Sequence, residues 1–156
     1  MEELNPNVKL AIEAAARSLG RSEQCRFSLE QKLLKKEFDE ETIKTALDYL
    51  ESKKYLDDAR YASSWIRSHC AFKPRGSIRL VKELCARGVS RQIASQAVKD
   101  YFETADEEEL CRLALNKLIC KNKNDKNLIK SLADNGFSYK IIQKVLKEKK
   151  VSENAS

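Results

Sequence analysis

The stretch Leu80–Val98, LVKELCARGVSRQIASQAV, contains a spacing of apolar residues that two other parts of the chain share. The three copies are Leu29-x3-Leu33-x4-Phe38-Asp39-x3-Ile43-x3-Leu47, Leu80-x3-Leu84-x4-Val89-Ser90-x3-Ala94-x3-Val98 and Leu128-x3-Leu132-x4-Phe137-Ser138-x3-Ile142-x3-Leu146. Phe38, Val89 and Phe137 occupy the same place in each copy, and they are 51 and 48 residues apart. A fixed period in this range is typical of tandem supersecondary units, which usually form extended binding surfaces.

Each copy predicts two helices joined by a tight turn. The predicted N-caps of the second helices are Asp39, Ser90 and Ser138. Gly88 and Gly136 stand where a left-handed residue ends the first helix of a pair. Glu37 takes that place in the first copy, so we expect a more strained turn there.

A further amphipathic helix precedes each copy, so the sequence predicts three units of three helices. The fold class is therefore all-α, with three tandem helix-turn-helix-like repeats that form an elongated, curved array. The predicted boundaries are residues 1–52, 53–104 and 105–150, followed by a flexible tail at 151–156. Within the first unit, the second helix is predicted to begin near Ser22, and Asp125 is the predicted cap of the eighth helix.

Several classes of protein are disfavoured by composition and motifs. No window reaches 18 apolar residues, and the start at Met1 lacks the order of a signal peptide, so we expect a cytoplasmic protein. The cysteines contain no CxxC pair, which predicts buried, reduced thiols without a metal or disulfides. Walker-type, HExxH and GxSxG motifs are absent, so we expect no enzyme, cofactor or catalytic residue.

The formal net charge of +6 is unevenly distributed along the chain. Residues 1–52 hold 8 basic and 11 acidic residues, residues 53–104 hold 11 and 5, and residues 105–156 hold 11 and 8. A basic middle and end favour a polyanionic partner, although a merely solvated helical surface would have the same composition.

Two groups of basic residues are the predicted binding sites. The first surrounds one loop and the helix after it: Lys73, Arg75, Arg79, Lys82, Arg87 and Arg91. The second lies in the third unit: Lys130, Lys140, Lys144 and Lys147. Such side chains supply the sequence-independent part of nucleic-acid affinity, and they could equally contact acidic residues of a protein.

Three further parts of the sequence are Tyr55-Leu56-Asp57-Asp58-Ala59-Arg60-Tyr61-Ala62 with Trp65-Ile66, then Gly76-x3-Leu80-x2-Glu83-Leu84-x2-Arg87-Gly88-Val89, and finally Asn135-Gly136-Phe137-Ser138. Together they resemble the RecX family of regulators of the RecA recombinase. The likeness extends over about residues 14–148. The first unit departs from the family pattern at Cys25, Ser28 and Glu37.

The resemblance implies an all-helical fold of three units and a function in recombination. It implies binding along the groove of a RecA–DNA filament, with restraint of strand exchange, ATP turnover and coprotease activity. The partners expected from it are RecA and single-stranded or double-stranded DNA, contacted without sequence preference by a monomer.

Two other hypotheses remain open from the residues alone. Each turn could belong to a DNA-binding helix-turn-helix, with Arg91, Gln92, Ser95, Gln96 and Lys99 as the exposed recognition face. Against this, the equivalent helix of the first unit carries Glu40, Glu41 and Asp48, which phosphates would repel. The third possibility is a helical scaffold for a different protein.

Overall fold

The computed structural model describes residues 3–121 and 124–155, and for Asp125 and Lys126 it describes the backbone alone. Within these residues the chain forms nine helices and no strand. The helices are α1 Pro6–Arg21, α2 Arg26–Lys35, α3 Glu40–Ser52, α4 Asp58–Phe72, α5 Ser77–Ala86, α6 Arg91–Thr104, α7 Glu107–Ile119, α8 Asp125–Asp134 and α9 Tyr139–Asn154.

The helices group into three units, each with its own core. Unit 1 is α1–α3, unit 2 is α4–α6 and unit 3 is α7–α9, and the extensive helix–helix contacts fall within these units. Leu29, Leu80 and Leu128, the first leucines of the three sequence copies, lie in separate buried clusters. The predicted all-α array of three-helix repeats is confirmed; its curvature remains a prediction.

The turn between the second and third helix has the same structure in every unit. The amides of Phe38, Val89 and Phe137 donate to the carbonyls of Leu33, Leu84 and Leu132 at 3.3, 3.1 and 3.2 Å, which is the six-to-one bond of a Schellman motif. The predicted caps are confirmed: the side chains of Asp39, Ser90 and Ser138 accept from backbone amides three residues later.

The left-handed position before each turn is occupied as the sequence predicts. Gly88 has φ 98° and Gly136 has φ 93°, whereas Glu37 adopts φ 67° with a side chain attached. A left-handed conformation costs a residue with a Cβ about 1–2 kcal/mol, so the first turn is strained. Because Glu37 is exposed, its side chain meets no steric obstacle there.

Consecutive units meet at two equivalent joints, which we name the 1–2 joint and the 2–3 joint. In the 2–3 joint the start of α5 lies on the α8–α9 turn, and the Gly76 amide donates to the Asn135 carbonyl at 2.9 Å. In the 1–2 joint the start of α2 lies on the α5–α6 turn, and the Cys25 thiol donates to the Arg87 carbonyl at 3.2 Å. Cys25 and Gly76 hold the same position, the N-cap of the second helix, in successive units.

A carboxylate from the following unit completes each joint. The amide of Arg26, the first residue of α2, donates to Asp58 Oδ1 at 2.8 Å. The amide of Ser77, the first residue of α5, donates to Glu107 Oε1 at 2.8 Å. Since a helix N-terminus has unsatisfied amides and a partial positive charge, each carboxylate stabilises a helix of the preceding unit. Burial is the main reason that the pKa of Asp58 is raised.

The stretch Tyr55–Ala62, which resembles the family, connects units 1 and 2. Leu56 lies in the core of unit 1, and Asp57 caps α4 by accepting from the Arg60 amide at 3.1 Å. The Arg60 guanidinium donates to Glu23 and to the carbonyls of residues 54 and 55. The stretch therefore has a structural role in holding two units together.

Some predicted boundaries were wrong. Helix α2 begins at Arg26 and not near Ser22, because the preceding residues cross toward unit 2 and Cys25 enters the core of that unit. Asn124, not Asp125, is the residue whose side chain caps α8. Helix α9 continues to Asn154 through the predicted tail, since neither glycine nor proline interrupts it.

The five cysteines agree only in part with the prediction of buried thiols. All five cysteines are free, but Cys25 and Cys111 alone are buried, while Cys120 is exposed. Over the described residues, no three His, Cys, Asp or Glu side chains come together as a metal site would require. In the same residues every helix is too short or too polar to cross a membrane.

We predict that Glu37→Gly stabilises the protein by about 0.5–1 kcal/mol. The substitution removes the left-handed strain, and the greater freedom of glycine in the unfolded chain offsets part of the gain. The measurement is the midpoint of urea unfolding followed by circular dichroism. Lys36→Gly is the control, because Lys36 has φ −88° and gains nothing. Equal midpoints for Glu37→Gly and the unaltered chain would contradict the assignment of strain.

We predict that Gly76→Ala destabilises the protein by about 1–3 kcal/mol, the usual cost of overpacking. An added Cβ would overlap the Gly136 carbonyl group, where backbone faces backbone across the 2–3 joint. Gly20→Ala is the matched control, since no atom beyond the neighbouring backbone of its own helix lies within 4 Å of its added Cβ. If both substitutions shifted the urea midpoint alike, the tight joint would be refuted.

Candidate binding surfaces

Two arginines of the first predicted basic group are engaged inside the 2–3 joint. Arg75 Nη1 donates to Asn135 Oδ1 at 2.5 Å, and Arg79 Nη1 donates to the Asp134 carbonyl at 3.0 Å. Arg79 also forms an ion pair with Glu83 at 2.7 Å. Burial, and next the charge of Arg79, lower the pKa of Arg75. The structure thus gives both guanidinium groups an internal role that the sequence did not indicate.

The other four members of this group are exposed. Arg87 lies over the Trp65 ring, with Cζ 5.2 Å from the centroid. Lys73 follows the end of α4, and Lys82 lines a groove between α5 and α8. Arg91 begins α6 on the edge of a different groove.

A polar cluster beneath Trp65 is explained by packing. The Trp65 and His69 rings stack at 4.1 Å, and His69 Nε2 is 3.9 Å from Glu83 Oε2. Burial lowers the pKa of His69, so its ring is neutral at pH 7. Burial also raises the pKa of the Cys70 thiol, which favours the protonated form over a nucleophilic thiolate.

A groove between the second and third helix occurs in both unit 2 and unit 3. In unit 2 it lies between α5 and α6, and in unit 3 between α8 and α9. Equivalent positions line the two grooves: Val81 and Ile129, Ser95 and Gln143, Val98 and Leu146, Lys99 and Lys147, Phe102 and Lys150. We name these the unit 2 groove and the unit 3 groove.

Unit 1 is closed at the equivalent place. Arg26 lies across α3, where its guanidinium forms ion pairs with Asp48 at 2.8 Å and Glu51 at 3.0 Å. Ser77 holds the position of Arg26 in unit 2 and is too short to do the same. The array thus presents an acidic, closed unit 1 followed by two open grooves.

Two lysines of the second predicted basic group line the unit 3 groove. Lys144 and Lys147 line it, while Lys130 and Lys140 are exposed on α8 and α9. Lys144 forms an ion pair with Glu108 at 2.9 Å, and this bond is the main reason that its pKa is raised. Lys130, Lys140 and Lys147 form no ion pair with any residue whose side chain the structure describes.

Neither of the two predicted basic groups includes two lysines that line these grooves, and the sequence pointed to one of them, Lys99, only as part of a helix-turn-helix recognition face. Lys150 lines the unit 3 groove beside Lys147, and Lys99 lines the unit 2 groove. Lys99 and Lys147 lie 48 residues apart, so the repeat itself places them at one structural position. An alignment of the three repeats that compared charged residues as well as apolar ones could have found Lys99 and Lys147.

Comparisons with known proteins agree with this architecture. Family models for the first and second three-helix domains of RecX match residues 11–50 and 57–98. The regulatory protein RecX of Treponema pallidum (strain Nichols) is 33% identical over 132 residues, which cover 85% of this chain and 80% of that protein. RecX of Prosthecochloris aestuarii is 32% identical over 146 residues, covering 91% and 95%.

Solved structures share the fold. The crystal structure of RecX from Lactobacillus salivarius matches with a TM-score of 0.81 and 24% identity, over 93% of this chain and 97% of that one. A second RecX crystal structure gives a TM-score of 0.79 at 18% identity, covering 94% and 79%. Identity above 30% over most of both chains establishes the relationship at the sequence level. The chain belongs to the RecX family.

Proposed function

We propose that this protein regulates the RecA recombinase by binding, as a monomer, along the groove of the RecA–DNA filament. Binding there restrains ATP turnover, strand exchange and coprotease activity. Membership of the RecX family supports the RecA partner, since the relatives are named regulatory proteins. The structural observation that carries the proposal is the recurrence of one groove in successive units joined by equivalent contacts.

A repeated surface suits a polymeric partner. Packed helices lie about 8–10 Å apart, so each three-helix unit is roughly 20 Å wide. Units joined in series can then contact neighbouring protomers of a filament at the same time. Several weak contacts made together raise the overall affinity without a single strong site.

The charge distribution suggests which unit faces DNA. The lysines around the unit 3 groove are exposed, and Lys147 and Lys150 lie one helical turn apart on α9. In unit 1 the equivalent surface contains Asp48 and Glu51, which repel phosphates. We infer that unit 3 contacts the DNA backbone and that unit 1 lies away from it.

A helix-turn-helix protein without a RecA partner is the second candidate, favoured by the exposed residues of α6. A DNA-reading motif needs the turn and the start of its second helix to be accessible. Here Phe27 lies against Gly88 and Arg79 lies against Gly136, so the preceding unit covers both turns. This packing favours the filament regulator. In a titration of unrelated duplexes, a preferred sequence would favour the second candidate.

We predict that the purified protein slows ATP hydrolysis by RecA on single-stranded DNA and reduces strand exchange. The titration should extend well above the concentration of filament ends, because binding along the filament needs many copies. The matched control is RecA without DNA, whose low basal hydrolysis should not change. Unaltered hydrolysis and strand exchange at saturation would disprove the proposed function.

We predict that Lys147→Gln with Lys150→Gln weakens binding to single-stranded DNA and flattens its dependence on salt. Each lysine–phosphate ion pair that the substitutions remove should reduce the slope of log K against log salt by about 0.7. The control is Lys35→Gln with Lys36→Gln, two exposed lysines of unit 1. Fluorescence anisotropy between 50 and 200 mM salt (roughly the range in which such ion pairs are sensitive) measures both slopes. Equal slopes in the two variants would place the DNA-binding surface elsewhere.

A further inference from the structure

The unit 2 groove has an apolar floor that no side chain of its own unit closes. Ile78 and Val81 of α5 face Val98 and Phe102 of α6 across an open groove of about 610 Å³. Ile78 is 59% exposed, although burial of an apolar side chain of its size would stabilise the protein. A mostly apolar groove of this volume, bordered by a few polar groups, is the usual form of a binding site.

The surfaces of units 1 and 3 that are equivalent to the unit 2 groove are not apolar. In unit 1, Arg26 with its two carboxylate partners closes the equivalent surface. In unit 3, Lys150 replaces Phe102 and makes the rim basic. Unit 2 combines the short Ser77 with Phe102, so its groove is open and apolar at once.

Charges of both signs border the unit 2 groove, and they follow an order along α6. Arg91 begins the helix, Lys99 lies two turns later, and Glu103 comes one turn after that. Arg91, Lys99 and Glu103 form no ion pair within the part of the chain that the structure describes. Glu107, at the far end, already accepts from the Ser77 amide. The rim therefore passes from positive to negative along the groove.

We propose that the unit 2 groove binds an amphipathic helix of a protein partner. Its apolar face, with side chains at i, i+4 and i+7, would cover Ile78 and Phe102. Acidic side chains at one end would pair with Arg91 and Lys99, and a basic side chain at the other would pair with Glu103. The identity of the partner as a RecA protomer rests on the proposed function.

The groove fits a helix better than the alternatives. A nucleic-acid backbone gains nothing from an apolar floor, and Glu103 and Glu107 would repel its phosphates. An added strand needs a sheet edge, and the described residues contain no strand. An apolar groove between two helices is the geometry that receives an amphipathic helix.

The test compares binding of RecA without DNA and binding of single-stranded DNA without RecA, each to the immobilised full chain. Ile78→Glu places a charge on the groove floor and should weaken RecA binding at least ten-fold. Lys99→Glu reverses one rim charge on an exposed side chain and should weaken RecA binding several-fold. Leu10→Glu and Lys9→Glu, at exposed positions of α1, are the matched controls and should bind RecA as the unaltered chain does. Circular dichroism and the urea midpoint verify that each variant folds.

The outcomes separate the groove from the wider function. Loss of RecA binding in both groove variants, with single-stranded DNA binding retained by Ile78→Glu, supports the assignment. If the unaltered chain binds RecA and both groove variants bind it equally well, the groove is refuted while the proposed function stands. Loss of DNA binding in Ile78→Glu with RecA binding intact would show that the groove contacts nucleic acid instead. If the unaltered chain does not bind RecA without DNA, the assignment of the groove to a RecA protomer is overturned, and the proposed function is judged by the ATP hydrolysis titration.

Discussion

The arrangement of the units depends on hydrogen bonds that the first amides of α2 and α5 donate to the following unit. The first amide of α2 donates to Asp58, and the first amide of α5 donates to Glu107, both at 2.8 Å. Neither N-cap residue, Cys25 or Gly76, supplies a side-chain hydrogen bond to the start of its own helix. The first amides of a helix have no acceptor within that helix, and here the helix's own unit supplies none either. The following unit supplies the acceptor and so stabilises the helix. Each joint therefore links the start of a helix to the unit that follows it.

The need to join the units explains why several arginines that look suited to ligand binding form bonds inside the protein instead. Arg75 and Arg79 hold the 2–3 joint, and Arg60 ties α4 to the end of unit 1. Side chains left free by the joints are those that border the grooves, such as Lys99 and Lys147. Because the joints are equivalent, the grooves recur at matching positions while their charge changes from unit to unit. One scaffold can thus present different chemistry to different parts of an assembly.

Local features were predictable because their causes are local. The capping of α3, α6 and α9 follows from Asp39, Ser90 and Ser138, each a short polar residue beside an apolar pair. The strain at Glu37 followed from the absence of glycine at one repeated position, and the structure confirms it. The start of α2 and the role of Asp58 were missed, since both depend on atoms of another unit.

The sequence by itself determined three helical pairs, their turns and the family, because spacing and capping act over a few residues and recur along the chain. Tertiary structure alone decided which cations are free. Arg79 and Lys82 are three residues apart on α5, yet one bonds to the Asp134 carbonyl and the other faces solvent. That difference arises from the approach of unit 3, more than 50 residues away in the chain. Contacts over such distances depend on how whole units pack, and no local pattern of residue types encodes them.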